Sequence, residues 1–336
     1  MRKHRLKMGL DPLWLPAILL ATAVGHLSAI ELVSPTAVAP YPSPWLTGTL
    51  LEPIPIALSR GDIAVQPYLY WTWTRGTYSD HGDVQRKPLV TSVTMQARIA
   101  FGLGKGFDIQ FLPTASFNGS EGHSVFRWED LEAQFDYQLR YPTAPGWFPG
   151  VELSLGEILP IGRYDHLSPV KNGADASGLG AFATFGEVVF HRIYALNARH
   201  DLSTALTLTL AVPGSVHVEG LNAYGGGFDT DGVVSPGIAF NGLLSLELTL
   251  TRNWVLAFDT QYTWTGQSSF KGCPGWTDTG CVAQVGLPVA QQLSLAPCLE
   301  YNFNDKIGLI AGVWFSVWGR NSPVFTTGAI ALSCEF

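Results

Sequence analysis

Twelve segments between residue 62 and the C-terminus alternate apolar and polar side chains with a period of two. A β-strand points successive side chains to opposite faces, so each segment predicts a strand with one apolar and one polar face. Most exceed the roughly 9–11 residues that a tilted strand needs to cross a membrane. The predicted strands are 62–74, 88–101, 107–117, 127–141, 149–162, 178–190, 203–212, 237–250, 254–266, 290–303, 307–318 and 324–336.

The connections between these strands alternate in length. After even-numbered strands most are tight, as at 103–106, 251–253 and 304–306. Outer-membrane barrels have short periplasmic turns and long extracellular loops, and lipid requires such a sheet to close on itself. We therefore predict an all-β fold, a transmembrane antiparallel β-barrel of about 12 strands over 62–336. After odd-numbered strands only 319–323 is short, and the predicted long loops are 75–87, 118–126, 163–177, 213–236 and 267–289.

The composition excludes several broad classes of protein. With 46% hydrophobic and 14% charged residues, the chain is not disordered, collagen-like or a coiled coil. A soluble domain carries roughly 25% charged residues, so this shortfall favours a membrane or secreted β protein. The formal net charge of −7 argues against nucleic acid as a partner, because phosphates attract basic proteins.

The N-terminus has the pattern of a secretory signal. Four basic residues among the first seven precede an apolar stretch over 13–24 and two small residues at 28 and 29. We predict that 1–29 is a signal peptide cleaved on export; the alternative, an anchor helix, would have too short an apolar run. Residues 30–61 are rich in proline and do not alternate, so we expect a loose periplasmic segment or a plug in the lumen.

The C-terminal strand carries a second sign of location. Apolar residues occupy every second position from Gly328 onward, and Phe336 is the last residue. Such a strand resembles the signal recognised by the outer-membrane assembly machinery. We therefore expect the outer membrane of a Gram-negative cell, with its lipids and the barrel assembly machinery as partners. The sequence does not indicate an oligomeric state.

The polar faces of the predicted strands carry mostly acidic side chains. Two interpretations remain open: the charges line a narrow water-filled path that favours cations or neutral solutes, or Arg98 and Arg140 cross-link the acids into a plugged interior. A barrel of twelve strands lies between filled and open barrels, and we favour the narrow path. The lumen and selectivity candidates are Arg98, Asp130, Glu132, Asp136, Arg140, Glu247, Asp259 and Glu300.

The sequence predicts neither catalysis nor a bound cofactor. Tyr164, Asp165 and His166, with Lys171 and Asp175, are the best acid–base candidates, but no serine partner is evident. We therefore expect no enzyme, no catalytic residue, no metal and no cofactor.

Two of the four cysteines lie in one predicted loop. Cys273 and Cys281 are close in sequence, and an oxidising export compartment would let them form a disulfide. The alternative is a pair of free thiols. The same loop holds no histidine, which argues against a metal site.

Two stretches carry family motifs: LPIGRYDHLSP at 159–169 with GADASG at 173–178, and VEGLNAYGG at 218–226 with Asp231 and Gly232. They resemble a family of exported bacterial barrels, the outer-membrane proteins of the phenol-degradation meta pathway, often called simply transporters. Two positions depart from the family pattern, Ile161 for Thr and Arg163 for Lys. Loop architecture is an alternative explanation, because glycine permits tight turns.

The resemblance implies passage of small molecules, aromatic or hydrophobic ones among them, across the outer membrane. We therefore predict a passive pore or facilitator for a small-molecule solute, with loops 213–236 and 267–289 at the outer mouth. The alternative is a surface anchor or interaction protein whose long loops bind a partner.

Overall fold

A computed structural model describes residues 45–142, 147–171, 173–197 and 200–336, and every structural statement below refers to these residues. They form seventeen strands and one 3-10 helix, Pro169–Lys171. No helix among them is long and apolar enough to cross a membrane. The strands are β1 (Ile63–Tyr78), β2 (Val84–Gly104), β3 (Phe107–Leu112), β4 (Thr114–Ser120), β5 (His123–Trp128), β6 (Leu131–Arg140), β7 (Gly150–Leu159), β8 (Ala183–Ala195), β9 (Asp201–Pro213), β10 (Val216–Glu219), β11 (Asp231–Ser235), β12 (Ala239–Thr249), β13 (Trp254–Thr265), β14 (Ser269–Cys273), β15 (Ala290–Asn302), β16 (Ile307–Arg320) and β17 (Pro323–Glu335).

Fourteen of these strands form one antiparallel sheet that closes on itself, because β1 pairs with β17 on one side and with β2 on the other. Two wall strands are each interrupted once. β3 and β4 follow one another along β2 with Pro113 between them, and β5 and β6 are separated by residues 129–130. Proline has no N–H for a sheet ladder, which accounts for the first break. Counted as wall strands, the barrel has the twelve that the sequence predicted.

The two faces of each wall strand are used as predicted. In β15, Ala296 and Glu300 lie on the inward face and are fully buried. Leu299 lies on the opposite face and is 41% exposed. Trp71 on β1 is 54% exposed on the outer face. Most large apolar side chains therefore face the lipid, and the lumen faces carry mainly small and polar side chains, with inward-facing exceptions such as Tyr68 and Ile310.

Two predicted long loops are instead extensions of the wall strands. β1 and β2 continue to a turn at 79–83, and β4 and β5 meet at a turn formed by Glu121 and Gly122, so the predicted loops 75–87 and 118–126 are wrong. Beyond the membrane a strand has water on both faces, so its sequence loses the period-two pattern while its backbone ladder continues. In the opposite sense, the predicted strand 178–190 begins only at Ala183.

The remaining long loops fold together at the rim opposite the tight turns. β10, β11 and β14 form a three-stranded antiparallel sheet drawn from the predicted loops 213–236 and 267–289. Val218, Val234 and Tyr224 form a small buried core beneath it. We call residues 160–171, 173–182, 214–238 and 266–289 the cap. The predicted mouth loops are therefore an ordered structure.

Candidate functional site in the barrel lumen

Residues 45–58, which precede β1, lie inside the barrel, and we call them the lumen segment. The segment reverses direction at a tight turn, where Thr49 N donates a hydrogen bond to Glu52 O at 2.8 Å. Leu50 at this turn is fully buried and packs in a cluster with Tyr68 and Ile310 of the wall. The predicted signal peptide and the start of the predicted 30–61 segment lie outside the described residues.

Three of the predicted lumen acids hold this segment by its backbone. Glu300 accepts a hydrogen bond from Thr47 N at 2.6 Å, Glu247 from Gly48 N at 3.1 Å, and Asp259 from Leu51 N at 3.0 Å. An extended segment outside a sheet has N–H groups that need partners when they are buried. The carboxylates supply those partners, so these acids are attachment points as well as lumen charges.

The opposite wall holds the end of the segment in the same way. Gln138 Oε1 accepts a hydrogen bond from Ala57 N at 3.1 Å, and Asp108 Oδ2 accepts one from Leu58 N at 3.0 Å. Gln138 lies on β6 and Asp108 on β3, whereas the three acids lie on β12, β13 and β15. The lumen segment therefore crosses the lumen from one wall to the other.

Both ends of the segment lie at the rim of tight turns. Asn302 Nδ2 donates a hydrogen bond to Trp45 O at 2.9 Å, and the guanidinium carbon of Arg252, in the 251–253 turn, lies 4.0 Å from the Trp45 ring centroid. Just after the segment, Gly61 N donates to Gly102 O at 2.9 Å, beside the 103–106 turn. Short turns are periplasmic in this class of barrel, so the segment enters and leaves on the periplasmic side.

A cavity of about 180 Å³ lies against the tip of the lumen segment, where Leu50 to Pro55 form its floor. Its charged lining consists of four carboxylates and one guanidinium, from Glu52, Glu132, Glu152, Glu187 and Arg98. Only Glu132 and Arg98 of these were predicted from the sequence. Glu152 lies on the inward face of β7 and Glu187 on the inward face of β8, so the period-two alternation could have identified both. Their mostly apolar neighbours in the sequence hid this pattern.

Glutamine side chains link the predicted charges of this wall. Arg98 Nε donates to Gln110 Oε1 at 2.5 Å, and Gln110 Nε2 donates in turn to Asp136 Oδ2. Gln134 Nε2 donates to the other oxygen of Asp136 at 2.8 Å. Within the described residues Arg98 forms no ion pair, so amide bridges occur on this wall where the alternative interpretation, a plugged interior, required direct arginine–acid cross-links.

Two residues that the sequence predicted to line the lumen, Asp130 and Arg140, lie away from the cavity. Asp130, expected in the lumen, lies in the break between β5 and β6, where it accepts hydrogen bonds from Gly162 N at 2.9 Å and Leu179 N at 3.0 Å. The interruption turns its carboxylate towards the base of the cap, so its structural role is to anchor the cap. Arg140 ends β6 near the periplasmic rim, with its guanidinium carbon 6.0 Å from the Phe148 ring centroid.

The two motif stretches meet in the cap. Ala223 N donates a hydrogen bond to Tyr164 O at 2.7 Å, and Leu167 N donates to Leu221 O at 2.8 Å. The Tyr224 side chain is 1% exposed, and its hydroxyl donates to a cap carbonyl. The motif residues therefore pair with one another above the barrel, which supports the explanation by loop architecture.

The candidate acid–base residues do not form a catalytic arrangement. His166 contacts Glu219 at 3.2 Å on the exposed surface of the cap, and Asp175 is buried and accepts a hydrogen bond from Ser168 N at 3.0 Å. A histidine–serine pair that the sequence did not indicate lies in the barrel wall, with His191 Nε2 3.0 Å from Ser203 Oγ. His191 Nδ1 has no hydrogen-bond partner among the described residues, so the pair lacks an orienting group.

The two cysteines of the cap, Cys273 and Cys281, are not bonded to each other. In the hairpin that follows β14, Thr277 N donates to Cys281 O at 2.8 Å and Ala283 N donates to Gly275 O at 3.0 Å. This register sets Cys281 opposite Thr277, four positions along the chain from Cys273. A disulfide needs Cα atoms closer than about 7 Å. Both thiols are exposed and free, so the predicted disulfide is absent from this structure.

Comparison with known proteins supports the fold. No family model and no curated protein matches the sequence. Among solved structures, the COG4313 outer membrane channel from Pseudomonas putida F1 is similar, with a TM-score of 0.66 and 15% identity over 85% of this chain and 100% of that chain. The β domain of the Bordetella autotransporter BrkA has a TM-score of 0.44 at 12% identity, over 83% of this chain and 100% of that one. The first of these likenesses confirms the fold of an outer-membrane barrel.

Proposed function

We infer that this protein is a passive pore of the outer membrane that admits small molecules through a lumen narrowed by residues 45–58. The observation that carries the proposal is the cavity of about 180 Å³ enclosed by the closed wall and floored by the lumen segment. A structural anchor needs no cavity of this kind, whereas a selective pore needs a confined polar interior. The similar structure from Pseudomonas putida F1 is described as a channel.

The charges of the lumen support a preference among solutes. The described lumen wall has carboxylates on many strands, and Arg98 is the guanidinium beside the cavity. A site lined by one sign of charge within low-dielectric walls concentrates solutes of the opposite sign. The pore should therefore favour cationic and neutral solutes over anions. The aromatic and hydrophobic molecules implied by the family resemblance fit the neutral class.

Solute uptake by proteoliposomes tests the proposal. Purified full-length protein is reconstituted, and the entry of small neutral solutes of increasing mass is followed by liposome swelling. We expect slow uptake limited to the smallest solutes, and faster uptake with a raised mass limit when residues 45–58 are replaced by a short Gly/Ser linker. If neither form admits any solute while both remain folded barrels, the pore proposal is wrong.

The proposal also covers delivery to the membrane. It includes export with cleavage of residues 1–29 and insertion by the barrel assembly machinery. The C-terminal Phe336 and the apolar outer face of β17 support insertion by that route. N-terminal sequencing of the mature protein, and removal of Phe336 with a measurement of the folded fraction in the membrane, check the two steps separately.

A further inference from the structure

The cavity beside the lumen segment combines two tyrosines with two carboxylates that form no hydrogen bond or salt bridge within the described part of the chain. Glu132 and Glu152 line the cavity, and neither carboxylate forms a hydrogen bond or salt bridge with another described residue, although the Arg98 guanidinium on the same lining attracts Glu152. Glu152 is only 7% exposed, so the opening available to it is the cavity. A desolvated carboxylate without a partner is unstable unless a cation or a proton neutralises it.

The two tyrosines lie beside the same space. Tyr68 and Tyr70 stack with ring centroids 5.5 Å apart and planes 3° from parallel, and both residues are part of the cavity lining. Tyrosine faces attract cations, and stacked rings also offer a flat surface to another ring. The lining therefore suits a molecule that has both a flat ring and a positive charge.

Size and ligand geometry narrow the chemistry further. A cavity of roughly 150 Å³ in another protein holds one benzene ring, and the cavity here is about 180 Å³. Among the described residues no group of three or more His, Cys, Asp and Glu side chains is arranged to hold a metal ion. A coordinated metal is thus a poor match, and a single-ring organic cation is a good one.

We propose that the lumen cavity is a binding site for a single-ring aromatic ammonium, whose ring lies against Tyr68 and Tyr70 and whose charge is bound by Glu132 and Glu152. The proposal rests on the passive-pore function and names a solute class for it. Glu187 contributes negative charge to the site, but its carboxylate already accepts a hydrogen bond from the Thr209 hydroxyl at 2.6 Å. Glu52 also lines the cavity, but it belongs to the lumen segment itself, so we assign the charge recognition to Glu132 and Glu152 on the wall strands β6 and β7.

Three probe molecules, each with a single ring and of nearly equal size, separate the effect of charge on binding from the effect of shape. Benzylammonium, benzyl alcohol and benzoate are titrated into the full-length protein in detergent at pH 7.5 and constant potassium concentration, with binding measured by calorimetry. We expect benzylammonium to bind at least about tenfold more tightly than benzyl alcohol, since hydrogen bonds to charged groups are the stronger ones. Benzoate should not bind.

Variants of the carboxylates test where the charge is recognised. Glu152→Gln and Glu132→Gln should each weaken benzylammonium about tenfold or more and leave benzyl alcohol unchanged. Asp305→Asn, which removes one exposed acid from a periplasmic turn, is the matched control and should change nothing. The heat-dependent gel shift of a folded barrel verifies that each variant is folded. If one glutamate variant does not fold, the other one is enough to test the proposal.

The results that overturn the proposal are distinct from those that overturn the pore. Benzoate binding as tightly as benzylammonium, equal effects of Asp305→Asn and both glutamate variants, or displacement by potassium alone would each overturn the ammonium site. If neutral solutes still enter proteoliposomes in that case, the pore function stands. If calorimetry shows the site while no solute crosses, the pore function fails and the site stands.

Discussion

Asp259 offers the sharpest test of how the lumen segment is held. Its carboxylate is fully buried and accepts hydrogen bonds from Leu51 N at 3.0 Å and from Ser245 Oγ at 2.6 Å. In Asp259→Ala the N–H of Leu51 loses a charged acceptor, and a hydrogen bond to a charged group contributes about 1.5–3 kcal/mol. The population with the segment released from the wall should then rise roughly 10- to 150-fold.

The thiol of Cys298 reports this release. Cys298 is 5% exposed and belongs to the inner cluster that Leu50 of the lumen segment completes. Replacing Cys273, Cys281 and Cys334 by Ser leaves it as the single thiol of the chain. When opening is fast relative to labelling, the labelling rate by a small water-soluble thiol reagent is proportional to the released population.

Asp136→Ala is the matched control for this experiment. Asp136 is an inward-facing acid, 1% exposed, and it accepts hydrogen bonds from Gln110 and Gln134, which both belong to the wall. Its removal takes away one lumen charge without touching residues 45–58, so Cys298 labelling should stay at the parent rate. A parent rate in Asp259→Ala, or an equal rise in both variants, would refute the attachment of the segment through Asp259.

Two further predictions concern the wall and the outer turns. A Cβ on Gly156 would lie 2.1 Å from the Phe185 ring, whereas one on Gly186 would meet nothing within 4 Å. Gly156→Ala should therefore destabilise the barrel by about 1–3 kcal/mol, and Gly186→Ala should leave its stability unchanged. Equal denaturant midpoints for the two variants would contradict this prediction. The hydrogen bond from Arg320 holds the pKa of the Asp80 carboxyl below its ordinary value. This contact is complete above the ordinary pKa of about 3.9 and is lost as the pH falls through the lowered pKa. Titration by NMR should show the lowered pKa of Asp80 and its rise towards the ordinary value in Arg320→Gln, where the Asn321 hydrogen bond still lowers it in part. An unchanged pKa in that variant would exclude the Arg320 contact as the main cause.

The sequence predicted the wall strands because the alternation of apolar and polar side chains within a few residues indicates which face of a strand meets lipid and which meets the lumen. The alternation of Leu299 with Glu300 on β15 separates lipid from lumen, and neighbouring strands repeat it. The same pattern placed seven of the eight charged candidates on wall strands, although Arg140 lies at the periplasmic end of β6 rather than beside the cavity. It failed at Asp130, where the interruption between β5 and β6 changes the direction of one side chain.

The cap shows the limit of that reasoning. The motif stretches around Tyr164 and Tyr224 are about sixty residues apart, and their pairing depends on backbone hydrogen bonds that any residue can make. Glycine-rich composition indicated loops there, which is correct, but composition carries no signal for the partner of a given N–H. The predicted disulfide failed for the same reason, since closeness in sequence does not set the register of a hairpin.

The amino-acid sequence alone determined a closed barrel of twelve wall strands, with apolar rows towards lipid and acidic rows inside, because those properties follow from alternation along a single strand. Tertiary structure alone decided that residues 45–58 enter the lumen and that Glu300, Glu247 and Asp259 bind their backbone. The contact between Thr47 and Glu300 joins positions 253 residues apart. Such a contact exists only once the sheet has closed, and a proline-rich segment without alternation carries no local pattern that could have predicted it.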